Sequence, residues 1–282
     1  MTKLRDRRSL EQHPCFHGKA SAHWGRIHLP VAPNCNIQCN FCNRLYACVN
    51  ESRPGVTRHI LQPAEALAAL NRLLQQRKDI VVVGIAGPGD PLCDLDRTLE
   101  TLRAVHALHP TLLICVSTNG LNLPSHIDEL VAAGVTHVTV TVNAVDPHIG
   151  QKIYASVTVN HRLYQGLEAA KILLNRQEEA VVGLKQRGLI VKINTVVLPG
   201  INTDHIPDIA AKAAMWGADK MNCIPLIPVQ GTPLAEHVTP TEAEMAFIRK
   251  SISGHMPQIF HCRRCRADAV GLLGEGDMAG AN

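Results

Sequence analysis

Three cysteines stand close together in the first part of the chain, Cys35, Cys39 and Cys42, with the spacing C-x3-C-x2-C. Thiolates at this spacing can bind three irons of a 4Fe-4S cube and leave the fourth iron without a protein ligand. A structural zinc site is closed by four protein ligands, usually as C-x2-C pairs, so the spacing fits zinc less well. The pattern therefore predicts an iron-sulfur cluster with one open coordination position. A zinc site and an ordinary electron-transfer cluster are the alternatives.

This spacing resembles the radical S-adenosylmethionine (SAM) superfamily. The resemblance implies that the open iron is chelated by the amino and carboxylate groups of SAM. It predicts a SAM-binding 4Fe-4S cluster as the first cofactor and SAM itself as the second.

The composition limits the class of protein. Of 282 residues, 46% are apolar and 18% are charged, as in a globular protein, and the length suits one barrel of about 250 residues. The net charge of +4 is too small to indicate nucleic-acid binding. The longest apolar run, 80–87, is far shorter than the ~20 residues that span a bilayer. We expect a cytoplasmic protein with no nucleic-acid or membrane partner.

The chain has ten cysteines, and in a reducing compartment clustered cysteines bind metal more often than they form disulfides. Cys93 and Cys223 have apolar or turn neighbours, which is typical of buried thiols. Five others lie at segment ends or near the predicted catalytic face and indicate additional iron-sulfur clusters: Cys15, Cys48, Cys115, Cys262 and Cys265.

Strands and helices alternate along the middle of the chain. Continuous β-branched runs are typical of parallel strands covered on both faces, and leucines at helical spacing indicate helices between them. The predicted strands are 26–32, 80–86, 112–117, 135–142, 190–197 and 220–224, and the predicted helices are 63–77, 94–106, 125–133, 160–184, 204–216 and 240–252. This order predicts an α/β fold, a parallel (β/α)6 partial barrel.

Two local signals refine this prediction. Pro30 cannot donate to a strand ladder, so the first predicted strand suits an edge of the sheet. Thr239, Pro240 and Glu242 have the pattern of a capping box with proline at the first helical position, which predicts where the last helix begins.

In βα barrels the active site lies at the C-terminal ends of the strands. The loop 84–91 follows the second predicted strand, and its glycines let backbone approach a ligand closely. The residues predicted to bind SAM are Gly84, Gly87, Gly89 and Asp90 in this loop, and Ser117, Asn119 and Asn143 after the next strands. For each of the last three, a loop-capping role is the alternative.

Longer stretches resemble the NifB family of radical SAM proteins. They are 13–15, 26–28, 32–44, 48–55 and 262–275, so the resemblance covers residues 13 to about 275. It implies an enzyme of nitrogenase cofactor biosynthesis that fuses two 4Fe-4S clusters and inserts a SAM-derived carbide, giving an 8Fe-9S-C cluster. In the implied reaction one SAM donates a methyl group to a sulfide, and a 5'-deoxyadenosyl radical from a second SAM takes hydrogen from that methyl.

The same resemblance implies the ligands of three clusters. The SAM cluster is held by Cys35, Cys39 and Cys42, one substrate cluster by Cys15, His28 and Cys115, and the other by Cys48, Cys262 and Cys265. Taken alone, His28 is more typical of a buried core histidine, and the resemblance reverses that interpretation. Neutral imidazole is a more easily exchanged iron ligand than thiolate, which suits a cluster that must later leave. Glu51, Ser52 and Arg53 are the candidates for proton transfer or SAM contacts, with a solvated loop as the alternative.

The resemblance also predicts partners and boundaries. It implies an iron-sulfur cluster donor scaffold, nitrogenase cofactor carrier and maturation proteins, and an electron donor such as ferredoxin. Many members carry a C-terminal carrier-like domain that this sequence lacks, so we expect another protein to store or pass on the product. We expect an N-terminal extension over 1–25, the barrel over 26–253 and a C-terminal extension over 254–282, with both extensions over the barrel mouth and a disordered tail from 274.

Two other functions fit parts of the pattern. Another radical SAM enzyme with auxiliary clusters, modifying a peptide or small molecule, fits the C-x2-C at 262–265 less well. A non-catalytic iron-sulfur or zinc scaffold leaves the glycine-rich loop unexplained. SAM binding distinguishes this scaffold from both enzymes.

Overall fold

The computed structural model describes residues 11–50, 52–53 and 59–276. Its strands are β1 (Gly25–His28), β2 (Ile37–Cys39), β3 (Ile80–Ile85), β4 (Leu113–Thr118), β5 (Val135–Thr141), β6 (Tyr154–Val159), β7 (Arg162–Gln165), β8 (Ile190–Val197), β9 (Lys220–Pro225) and β10 (Val270–Gly271). Its helices are α1 (Pro63–Gln76), α2 (Leu95–Leu108), α3 (Ile127–Ala132), α4 (Pro147–Ile153), α5 (Gly166–Gln186), α6 (Ile206–Met215) and α7 (Glu242–Ile252).

Seven strands form one curled sheet in the order β10-β1-β3-β4-β5-β8-β9. The neighbours from β1 to β9 are parallel, and β10 is antiparallel to β1. A helix precedes β3 and others separate the later strands, so the α/β partial barrel is confirmed. The predicted strand 190–197 coincides with β8, and the other predicted strands from 80 onward agree with the structure within one residue.

Successive residues of each strand point to opposite faces of the sheet. On β8, Val191 and Ile193 pack into the main core between the sheet and the helices. Lys192 and Asn194 alternate with them and face the inside of the barrel. The apolar face builds the core, and the other face is free to build a polar site.

A second, three-stranded antiparallel sheet in the order β2-β6-β7 is absent from the sequence-based prediction. The predicted helix 160–184 is wrong at its start, because 160–161 form a turn, 162–165 form β7 and α5 begins at Gly166. Asn160 and His161 have φ angles of 49° and 62° and connect β6 to β7. A two-residue turn with both φ angles positive matches the twist of a hairpin.

Three further expectations need correction. β1 ends at His28, before Pro30, and β10 covers the side where an edge was expected. The capping box of α7 is formed by Thr241 and Glu244 rather than two residues earlier, with the Thr241 hydroxyl accepting from the Glu244 N–H at 3.2 Å. Glu275, in the tail expected to be disordered, forms an ion pair with Arg77 at 3.0 Å, and residues 277–282 lie outside the described residues.

No helix in the described ranges is long and apolar enough to cross a membrane.

Candidate functional site

The first cavity lies where the C-x3-C-x2-C loop meets the ends of β3 and β4. All three of these cysteines line it. The other lining residues are Ile37, Cys48, Asn50, Gly89, Asp90 and Asn119. The structure therefore brings together the predicted SAM-cluster ligands and three of the predicted SAM-binding residues.

Gly89 fixes how the two loops approach each other. Its N–H donates to the carbonyl of Ala32 at 2.6 Å, and the next N–H, of Asp90, donates to the carbonyl of Asn34 at 2.6 Å. A Cβ atom at Gly89 would overlap the Asn34 carbonyl. Glycine is thus required here by the contact between the loops, in addition to any contact with a ligand.

Two amide groups point at the cluster cysteines. Asn50 Nδ2 donates to Cys39 Sγ at 3.6 Å, and Asn119 Nδ2 donates to Cys35 Sγ at 3.7 Å. Hydrogen bonds of this kind are the usual partners of cluster thiolates, and they tune the reduction potential. This arrangement fits a bound 4Fe-4S cluster.

The thiols themselves need a positive neighbour to ionise. Burial, reinforced by Asp90, raises the pKa of Cys35 to about 12, and burial raises the pKa of Cys39 well above its usual value. The Arg44 guanidinium opposes both shifts, and it donates to the carbonyls of Cys35 and Ile37. The iron of a bound cluster would supply the remaining positive charge.

In the part of the chain that the structure describes, no three His, Cys, Asp or Glu side chains are grouped closely enough to hold a single metal ion.

Asp90 is buried and fully hydrogen-bonded. Its carboxylate accepts from Thr118 Oγ1 at 2.9 Å and from the backbone N–H groups of Asn119 at 2.7 Å and Leu92 at 2.9 Å. Burial raises its pKa, and these hydrogen bonds oppose the shift. The carboxylate therefore holds the ends of β3 and β4 together at the cavity wall, and its contact with SAM stays a prediction.

Asn143 lies behind this wall. Its side chain donates to Asn50 Oδ1 at 3.1 Å and accepts from the N–H of Val196 at 2.8 Å. Its own N–H donates to the Tyr154 hydroxyl at 3.2 Å. The structure places Asn143 as a support for Asn50, and its predicted contact with SAM is not tested.

The second cavity occupies the inside of the barrel. Six residues that could bind iron line it together, and they are His13, Cys15, His28, Cys115, Cys262 and Cys265. Ser117 also lines this cavity rather than the first. The residues of the two chain extensions thus meet those of β1 and β4 at one place.

His28 and Cys115 lie on either side of Gly84. A Cβ atom at Gly84 would be 2.9 Å from Cys115 Sγ and 3.4 Å from His28 Nε2. The missing side chain leaves room for both groups. Gly84 therefore contributes to the second cavity, and its predicted contact with SAM stays a prediction.

The imidazole of His28 is prepared for metal binding. Its Nδ1 lies 3.1 Å from the carbonyl of Arg266, so Nδ1 carries the hydrogen and donates it. Burial lowers the pKa of His28 to about 4, which keeps the ring neutral. Nε2 therefore presents a lone pair, as a histidine ligand requires.

The cysteines of the second cavity differ in their surroundings. Burial raises the pKa of Cys15 to about 11, opposed by Lys192 and Arg26, and burial also raises the pKa of Cys115. Cys265 Sγ accepts from Arg26 Nη2 at 2.9 Å, whereas Cys262 is exposed.

The C-terminal segment is held across the barrel mouth by arginine and backbone contacts. Arg264 donates to the carbonyls of Val49 and Pro225, both at 2.6 Å. The N–H of Arg53 donates to the carbonyl of Cys265 at 2.9 Å. These contacts join the loop after Cys48 to the C-x2-C segment.

The predicted catalytic residues lie in that loop. Ser52 is buried, and its N–H and hydroxyl donate to the carbonyl of Cys48 at 2.9 and 3.0 Å. Arg53 is exposed. Glu51 lies outside the described residues. In this arrangement Ser52 fixes the backbone of a predicted cluster ligand, and its role in proton transfer is not tested.

Asn50 lines both cavities and separates them, and Cys48 faces the first cavity although its two predicted partners face the second.

Four residues that line the cavities were not predicted from the sequence, and they are Asn50, Lys192, Asn194 and Asn222. The last three are polar residues in otherwise apolar strands, and this alternation is the signal that could have found them.

Comparison with known proteins agrees with this geometry. The family model of the radical SAM superfamily matches residues 29–213. FeMo cofactor biosynthesis protein NifB of Chlorobaculum tepidum is 45% identical over 267 residues, which are 95% of this chain and 63% of that protein. The NifB of Rhodobacter capsulatus is 46% identical over 270 residues, 94% of this chain and 60% of that protein. The chain thus spans less than two thirds of the length of these relatives.

Solved structures show the same fold at low sequence identity. The FeFe-hydrogenase maturase HydG of Carboxydothermus hydrogenoformans has a TM-score of 0.61 and 13% identity, covering 84% of this chain and 53% of HydG. Methylornithine synthase PylB has a TM-score of 0.58 and 16% identity, covering 90% of this chain and 72% of PylB. With its C-x3-C-x2-C cavity at the ends of the barrel strands, this chain belongs to the radical SAM superfamily.

Proposed function

We propose that this chain is a radical SAM enzyme of FeMo cofactor biosynthesis that joins two 4Fe-4S clusters and inserts a SAM-derived carbide, giving an 8Fe-9S-C precursor. One observation carries the proposal: two histidines and four cysteines face one cavity, next to the cavity of the C-x3-C-x2-C cysteines. Similarity to NifB proteins over about 95% of the chain supports it.

When bound, the resident 4Fe-4S cluster and SAM supply a methyl group and a 5'-deoxyadenosyl radical. The protein's own residues position the reactants and keep water out. Cys35, Cys39 and Cys42 bind the resident cluster, with Asn50 and Asn119 donating to their sulfurs. The buried loop 84–91 closes one side of the first cavity.

The substrate clusters are two 4Fe-4S clusters at or near the second cavity. We assign one to Cys15, His28 and Cys115, and the other to Cys48, Cys262 and Cys265. Because Cys48 lines the first cavity and Asn50 lines both, this cluster would lie at the boundary between the two cavities. The neutral imidazole of His28 is the most easily exchanged ligand, which favours release of the product.

The remaining assignments are also proposals. Glu51, Ser52 and Arg53 are candidates for proton transfer or SAM contacts. Of these, Glu51 can accept a proton, whereas the guanidinium of Arg53 stays protonated and can only donate hydrogen bonds. A scaffold protein donates the substrate clusters, a ferredoxin-like protein donates electrons, and cofactor carrier and maturation proteins receive the product.

Iron quantification with EPR on anaerobically reconstituted protein, before and after adding SAM, tests the proposal. We expect about twelve irons per chain, four for each of three clusters, a SAM-dependent change in one EPR signal, and a new signal after turnover. About four irons with a SAM response would indicate a different radical SAM enzyme. Zinc in place of iron would contradict both the proposed function and any other radical SAM activity.

The double variant Cys262→Ala/Cys265→Ala tests the ligand assignment. We expect it to bind fewer irons than the wild type and to cleave SAM at the same rate, because both cysteines lie outside the first cavity. Cys93→Ala/Cys223→Ala is the matched control, since neither residue lines a described cavity. Loss of SAM cleavage by a folded Cys262→Ala/Cys265→Ala variant would contradict the assignment of these two cysteines to a substrate cluster.

A further inference from the structure

Lys192 is a charged residue inside the barrel. It is only 7% exposed and faces the second cavity, and its Nζ lies 4.9 Å from the centre of the Phe16 ring. The lysine ion pairs among the described residues involve Lys185 and Lys212, so Lys192 has no carboxylate partner there.

The other cationic side chains around this cavity differ from Lys192. Arg263 lines the cavity but is exposed to solvent, and the guanidinium groups of Arg264 and Arg26 donate hydrogen bonds. The Arg264 guanidinium donates to backbone carbonyls, and Arg26 does the same while also donating to Cys265. No Asp or Glu of the described residues lines the cavity.

Burying an ammonium group without a carboxylate destabilises a protein. A residue of this kind is explained when a ligand supplies the opposite charge. The cavity around Lys192 is lined by four cysteines, and thiolate ligands and bridging sulfides are negatively charged. Its charge and its position therefore point to the same occupant.

We propose that Lys192 binds an anionic iron-sulfur substrate cluster in the second cavity and acts as its counter-charge. This inference rests on the proposed function, because it requires a cluster in that cavity. Lys192 then contributes to retention of the cluster by charge, independently of the cysteine ligands.

The test uses protein in which Cys35, Cys39 and Cys42 are all alanine, so that iron binds outside the first cavity. Lys192→Met removes the charge at similar length, and Lys192→Arg retains it. Lys220→Met is the matched control. Lys220 is the register partner of Lys192 on β9, but its Nζ donates to the Phe16 carbonyl at 2.7 Å and it does not line the cavity.

After anaerobic reconstitution, iron release to a chelator and the reduction potential are measured. We expect Lys192→Met to release iron on the order of tenfold faster, as the loss of one charge-assisted contact implies. Its reduction potential should become more negative, because a positive neighbour favours the reduced cluster. Lys192→Arg and Lys220→Met should stay close to the parent protein.

Melting temperatures of the iron-free proteins give a second readout. We expect Lys192→Met to melt at a higher temperature than its parent, since a buried unpaired charge has been removed. Iron retention and stability of the iron-free protein then change in opposite directions, which a purely structural lysine would not produce.

The contrary outcomes are distinguishable. Equal iron release and potential in Lys192→Met and its parent would overturn the role of Lys192 and leave the proposed function intact. Iron-free Lys192→Met that unfolds would make Lys192 structural and overturn the inference as well. A parent protein that binds no iron would overturn the inference together with the second cluster site.

Discussion

At the scale of a single residue, Asn50 links the two cavities because its side chain lines both of them. Its side chain donates to Cys39 Sγ and accepts from Asn143, and its backbone carbonyl accepts from Asn194 Nδ2 at 3.4 Å. Nothing in the cysteine spacing required an amide here. Its importance follows from burial and from its hydrogen-bond partners.

We expect Asn50→Leu to shift the reduction potential of the SAM cluster to a more negative value, because a hydrogen bond to a ligand sulfur favours the reduced cluster. The protein should also lose about 1–3 kcal/mol of stability, since the Asn143 amide loses its buried acceptor. Potentiometric EPR and chemical denaturation measure the two effects. Asn175→Leu, at an exposed position of α5, is the control. An unchanged potential in Asn50→Leu would contradict the hydrogen bond to Cys39.

Gly89→Ala should prevent the two loops of the first cavity from closing, because the added methyl would overlap the Asn34 carbonyl. The expected loss is about 3 kcal/mol or more, as for other overpacked sites, together with loss of SAM-cluster iron. Gly254→Ala is the control, since a Cβ atom there has no neighbour within 4 Å. Thermal unfolding and iron quantification measure the two effects. A Gly89→Ala variant that binds as much iron as the wild type would refute the close contact between Gly89 and the Asn34 carbonyl.

His28 makes the stability of the iron-free protein depend on pH. Burial lowers its pKa from 6.5 to about 4 in the folded state, so the unfolded chain binds the extra proton first. Its contribution to stability is therefore complete above about pH 6.5 and is lost as the pH falls towards 4. In urea titrations, His28→Gln should remove part of this pH dependence, on the order of 3 kcal/mol at most. Exposed His255→Gln should have no such effect.

At the scale of elements, the turn between β6 and β7 determines where α5 can begin. We expect His161→Gly to stabilise the protein by up to about 1 kcal/mol, because glycine adopts a positive φ without strain. His161→Val should destabilise it, because a β-branched residue is disfavoured there. Urea denaturation measures both. A destabilised glycine variant would indicate a contact of the His161 side chain instead.

The sequence predicts these elements unequally well. The run that forms β3 is β-branched except at Gly84, and the run that forms β8 is β-branched except at Lys192 and Asn194, so their bounds are clear. In contrast, the leucine spacing of α5 continues back through Leu163, which lies in β7, and periodicity alone cannot separate the two. Cys35, Cys39 and Cys42 are recognisable by spacing. Lys192 lies near the cysteines of the second cavity only because the sheet curls, which its position in the sequence does not reveal.

At the scale of the whole molecule, Arg264 fastens the C-terminal segment to the barrel mouth. We expect Arg264→Met to increase hydrogen exchange across 259–276 and to speed iron loss, because two hydrogen bonds from a charged group are removed, each worth about 1.5–3 kcal/mol. Hydrogen-exchange mass spectrometry locates the effect. Arg249→Met, which removes a donor to the Cys223 carbonyl, is the control and should leave this segment protected.

The pairing of β10 with β1 also determines the order in which the molecule can be completed. Arg26 and Gly271 are register partners although they lie at opposite ends of the chain, and contacts between such distant residues form late in folding. During synthesis the strands from β1 to β9 leave the ribosome before β10 does. Until β10 pairs, β1 is an uncovered edge of the sheet, and Arg26 lacks the backbone carbonyl of Leu272 to which it donates.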